Sequence, residues 1–96
     1  MEDKLITIDT LNMLLQKGFN YYHYPTQSIA QKWLRETKNL HIEISYSCDK
    51  YWYYDILTIP NHDLIGLADR PFIRYNTYEE ALENGIQEAL KLVEEE

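Results

Sequence analysis

The sequence predicts one α+β domain over residues 1–96. It is a small antiparallel three-stranded sheet with helices packed mainly on one face, in the order α-α-β-β-β-α. Three observations carry this reading. Residues 78–93 place apolar side chains at helical spacing. Residues 40–47 alternate apolar and polar side chains. Residues 51–59 form a β-prone run, joined to that strand by a hairpin-length connection. A 96-residue chain with 45% hydrophobic residues has material for one core and not for two.

The spacing predicts a first helix over Ile8–Lys17, capped by Thr7 or Asp9, with Leu11, Leu14 and Leu15 on its apolar side. Gly18 stands where a left-handed residue ends a helix, and Phe19 follows as the hydrophobic clasp. Residues 20–25 have no period and read as a loop. A second helix starts at Thr26 or Ser28 and runs to about Lys38. It has Ile29, Ala30, Trp33 and Leu34 on one side, and Lys32, Arg35, Glu36 and Lys38 on the other. Asn39 terminates it.

Strict alternation makes residues 40–47 a half-buried strand with Leu40, Ile42, Ile44 and Tyr46 toward the core. In the next strand, residues 51–59, Trp52, Tyr54 and Ile56 point inward, and Tyr51, Tyr53 and Asp55 point outward. Residues 60–63 form a turn, and 64–70 fit either an extended piece or a single helical turn. Residues 72–75 read as a short third strand feeding the last helix. Thr77 and Glu80 open that helix as a capping box. Its stripe contains Ala81, Gly85 and Ala89 in one row. A mid-helix glycine costs about 1 kcal/mol relative to alanine, and close approach to a bulky aromatic surface is the expected compensation. Glu94, Glu95 and Glu96 load the negative end of the helix, so the last turn should fray.

The formal net charge is −7. Residues 1–39 carry five basic side chains against four acidic ones, residues 40–75 three against five, and residues 76–96 one against seven. The acidity therefore belongs to the last helix, and the rest is nearly neutral. Such a chain is not built to bind nucleic acid chiefly through phosphates. No apolar run approaches the roughly 20 residues that span a bilayer. With no signal-peptide pattern after Met1, a cytoplasmic protein with no membrane contact is expected. A single cysteine, Cys48, excludes an internal disulfide and a multi-cysteine zinc site.

Chemistry is sparse. His41 and Glu43 project together from one strand face, but a zinc site needs a third ligand and a deaminase needs a Pro-Cys-x-x-Cys that is absent. A solvated strand face is the simpler reading. His23 and His62 fall in loops. Cys48, in a turn with no helix N-terminus beside it, reads as an incidental thiol. The glycines, Gly18, Gly66 and Gly85, lie too far apart for a phosphate loop. No catalytic residue, metal or cofactor is expected.

Tyrosine is the exception, with nine Tyr against two Phe and two Trp. Tyrosine buries as an aromatic, needs a partner for its hydroxyl and is enriched at interfaces. Tyr51, Tyr53, Tyr21, Tyr22 and Tyr24 are the candidate contacts with a protein partner or a second copy of the chain. The competing reading is that the first helix or the loop of Tyr21–Tyr24 covers the outer sheet face. Lys32, Arg35 and Lys38 offer an alternative, a basic stripe for weak nucleic-acid binding, although three such charges usually make a solvated face. Phosphate mimicry by the acidic helix is weaker still beside simple solubility.

Three stretches together carry a resemblance: residues 6–19, the segment 25–36 with its Thr-Gln-Ser and Gln-Lys-Trp-Leu-Arg-Glu elements, and residues 78–90. Over most of its length the chain resembles small uncharacterised proteins of bacteriophages and prophages of gut bacteria. That resemblance implies a phage-encoded accessory protein of the bacterial cytoplasm and carries over no catalytic residue.

Overall fold

The computed structural model describes residues 3–20, 23–65 and 73–93. Among them the elements are α1 (Ile8–Gln16), α2 (Gln27–Thr37), β1 (Leu40–Tyr46), β2 (Trp52–Thr58) and α3 (Tyr78–Leu92). The α+β class stands, but the sheet has two strands, not three.

The reason lies in the chain returning past β2. Leu64 bridges Leu57 at one end of β2, and Tyr75 bridges Trp52 at the other. Five positions separate Trp52 from Leu57, whereas eleven separate Leu64 from Tyr75. The returning chain is six residues too long to keep one register, so it touches β2 at two isolated points instead of forming a ladder. Of the expected strand over 72–75, Tyr75 makes the bridge, and Phe72 lies outside the described residues.

Each helix starts at a threonine whose side chain accepts an otherwise unpaired backbone N–H. Thr7 accepts from Thr10, Thr26 from Ile29 and Thr77 from Glu80. At the end of α1, the Phe19 N–H donates to the Leu14 carbonyl (3.1 Å) and the Gly18 N–H to that of Leu15 (3.3 Å). This Schellman arrangement needs the left-handed backbone of Gly18, at φ 98. Asn39, at φ 58, ends α2 and turns the chain into β1.

β1 and β2 pair antiparallel with Leu40 opposite Thr58 and Tyr46 opposite Trp52. Leu40, Ile42, Tyr54 and Ile56 are buried on one face, under α2 and α3. α1 packs on α3 and not on the outer sheet face. Tyr46 shares the inner face but is 56% exposed, since it lies at the hairpin's end, its ring tilted against Trp52 with centroids 4.8 Å apart. Leu15 and Ile29 are likewise exposed, so the apolar sides of α1 and α2 are narrower than the sequence suggests. The α2 side chain Gln31 donates from Nε2 to the Ile42 carbonyl at 2.7 Å, occupying an acceptor on the open edge of β1.

Gly85 faces the hairpin. A Cβ there would lie 2.8 Å from Ile42 Cγ2 and 3.1 Å from Tyr54 Cγ. Two residues earlier, the Glu83 carboxylate draws the starts of α1 and α2 together. It accepts from the Thr7 N–H and Oγ1 (both 3.1 Å), from Thr10 Oγ1, and from Gln27 Nε2 (2.9 Å). Gln27 also donates to the Glu79 carbonyl at 2.8 Å. Thr10 and Gln27 are buried polar residues whose hydroxyl and amide are satisfied by these bonds.

Two expectations follow. Gly85→Ala adds a good helix former worth about 1 kcal/mol, but overpacking costs about 1–3 kcal/mol, for a net loss near 1 kcal/mol. Urea unfolding measures it, and Ile42→Ala should cost less in the Gly85→Ala background than alone. Glu83→Ala leaves the Thr10 and Gln27 donors short of an acceptor inside the protein and should cost about 2–3 kcal/mol by the same measurement.

Candidate functional site

The outer hairpin face is built from the odd-numbered positions His41, Glu43 and Ser45 on β1, and Tyr53, Asp55 and Leu57 on β2. Glu43 and Ser45 are exposed, and Tyr53 and Asp55 are half-buried. Neither α2 nor α3 crosses this face.

At the turn end, the connection 47–51 organises a polar and aromatic cluster. The Ser47 N–H donates to the Tyr51 carbonyl at 3.0 Å, and Lys50, at φ 71, completes the reversal. Asp49 is the hub. Its carboxylate accepts from the Tyr51 N–H (3.1 Å) and from the Tyr53 hydroxyl. Arg74 approaches the same carboxylate at 3.8 Å, and its guanidinium sits over the Tyr51 ring, 5.4 Å from the centroid. The arrangement is a charge-assisted hydrogen bond, a surface ion pair and a cation–π contact sharing two residues. The Tyr53 hydroxyl bond holds the Asp49 carboxyl below its ordinary value, with help from the Tyr51 amide and Arg74. The same bond, with some desolvation, raises the Tyr53 phenol above its ordinary value.

Tyr51 and Tyr53 are therefore brought together, each held by a partner. Tyr24 is exposed beside the N-terminus of α2. Tyr21 and Tyr22 lie outside the described residues. Other tyrosines serve packing: Tyr54 and Tyr75 are buried with ring centroids 6.0 Å apart, and Tyr78 meets Trp52 edge-on at 5.5 Å.

The basic residues of α2 do not act as one stripe. Lys32 reaches Glu36 at 3.9 Å, Lys38 lies over the Trp33 ring at 5.5 Å, and Arg35 is half-buried. His41 is half-buried and Glu43 exposed, and no group of three metal-ligating side chains occurs among the described residues. Cys48 is exposed in the turn. No helix among the described residues is long and apolar enough to cross a membrane. Sequence reasoning missed Asp49 and Arg74. The turn position of Asp49, four residues before Tyr53, was the available signal. The Arg74 contact depends on the Trp52–Tyr75 bridge, which no local pattern announces. No family model matches the chain, and comparison with curated proteins and with solved structures gives no match.

The Asp49–Tyr53 bond has a readable titration. Asp49 is depressed from 3.8, so its contribution is present above that pH and lost as pH falls through the lowered value. Tyr53 is raised from 10.0, so its contribution is present below that pH and lost as pH rises through the raised value. Asp49→Asn should bring the phenol back down toward 10.0 by phenolate absorbance. Tyr53→Phe should bring the Asp49 carboxyl up toward 3.8 by carbon NMR.

Proposed function

We propose that this chain is a phage or prophage accessory protein that works in the bacterial cytoplasm by binding another protein rather than by catalysis. The supporting observation is the ordered Tyr51–Arg74–Asp49–Tyr53 cluster on a hairpin face that no helix among the described residues covers. Aromatic and arginine side chains already held in place lose little entropy on binding, and such groups dominate the energetics of protein interfaces. Glu43, Asp49 and Asp55 outnumber Lys50 and Arg74 on or beside this face. The surface thus suits a partner that presents basic side chains. A nucleic-acid contact through Lys32, Arg35 and Lys38 has less support, because Lys32 and Lys38 are engaged locally and Arg35 turns elsewhere.

Photo-crosslinking in cells tests this reading. A benzophenone amino acid at position 45, on the outer face, should give a discrete protein adduct, and the same group at the exposed position 16 on α1 should not. Tyr51→Ala with Tyr53→Ala should abolish the adduct. Equal labelling from both positions, or none from position 45, would refute the assignment of this face.

A further inference from the structure

The hairpin end farthest from Tyr51 and Tyr53 holds a separate feature. His41 and Leu57 pair across the strands and face away from α3. Leu57 is only 5% exposed, yet it lies outside the main core cluster. A cleft of about 250 Å³ opens beside it, with Leu57, Ile59 and Pro60 as its apolar lining and Arg35, His41 and His62 as its basic groups. Backbone bonds fix this end. The Ile59 N–H donates to the Asn39 carbonyl at 3.0 Å, and the His62 N–H donates to that of Thr58 at 2.7 Å. His62 is held at φ 64, a left-handed conformation uncommon for a residue with a side chain.

The polar groups at this cleft lack partners. His41 Nδ1 is buried with no hydrogen-bond partner. Among the described residues, the Arg35 guanidinium and the His62 imidazole likewise have no ion pair or side-chain hydrogen bond. A half-buried guanidinium without a counter-ion lines this cleft, so the site is complementary to a negative group that is small enough to enter.

We propose that this cleft binds a small organic carboxylate, an acid with one ring or a short chain. The carboxylate lies against Arg35, with the His41 and His62 imidazoles beside it. The hydrocarbon body rests on Leu57, Ile59 and Pro60. The apolar lining and the single guanidinium favour a carboxylate over phosphate, whose oxygens need more donors than this cleft presents. The inference is independent of the protein-binding reading, which rests on the opposite end of the hairpin.

Isotope-labelled full-length protein, titrated with benzoate, benzyl alcohol and inorganic phosphate, tests it by NMR of the imidazole and guanidinium nitrogens. Benzoate should shift His41, His62 and Arg35 saturably, with benzyl alcohol about tenfold weaker or worse and phosphate giving no saturable shift. Arg35→Gln should weaken benzoate about tenfold while the remaining amide spectrum keeps its dispersion. The proposal is overturned if benzoate produces no saturable shift, if benzyl alcohol binds as well, or if phosphate binds more tightly. If Arg35→Gln does not fold, the wild-type Arg35 Nε resonance decides, and its failure to move at saturating benzoate overturns the proposal equally.

Discussion

The fold depends on how closely α3 can lie against the hairpin. A two-stranded antiparallel ribbon is marginal on its own, since half of its apolar face stays wet. Here that face must be closed by a helix, and Gly85 sets the distance at which closure occurs. The absent side chain is replaced by Ile42 Cγ2 and the Tyr54 ring, at separations where a methyl group would not fit. Ala81 and Ala89, both fully buried, extend the same shallow stripe along the helix. The helix gives up backbone propensity at Gly85, and dense packing between helix and sheet offsets it.

Once α3 is seated on the sheet, Glu83 fixes the other helices to it. Its carboxylate meets the N-terminus of α1, where the backbone N–H groups and the positive end of the helix dipole favour an anion. Its second oxygen takes the Gln27 amide at the start of α2. Two helix starts thus meet at one side chain of α3, which is how short helices of 9 and 11 residues are held in place. Helices of that length are not stable alone in water. One of the seven acidic residues that make residues 76–96 so negative is therefore structural, and solubility does not account for it.

Elements governed by local rules were legible in the sequence. The threonine caps, Gly18, Asn39, the alternation of β1 and the close approach at Gly85 each follow from a few adjacent residues. What was not legible depends on register between distant segments. The third strand failed because eleven residues return past five, a mismatch visible only once both bridges are known. Tyr51 and Tyr53 were picked out for their exposure, but the structure gives each a partner. Composition reports a tyrosine surplus and cannot say which hydroxyls are already bonded. Arg35 read as one of three solvated charges, because helical spacing says nothing of the strand end packed beside it.

Charge placement reconciles an anion-complementary cleft with a chain of net −7. Most of the negative charge belongs to residues 76–96, and α3 packs against the inner face of the hairpin. His41 and Leu57 lie on the opposite face, so the sheet stands between the cleft and the glutamates of α3. At physiological ionic strength exposed charges are screened over about 8 Å, so the distant carboxylates weigh little against groups lining the cleft itself. The cleft itself presents one permanent cation and two imidazoles around an apolar lining, with the Glu43–Asp55 pair next along the same face. Net charge governs how the whole molecule meets other macromolecules in solution. It does not govern what a half-buried guanidinium on the far side of the sheet can hold.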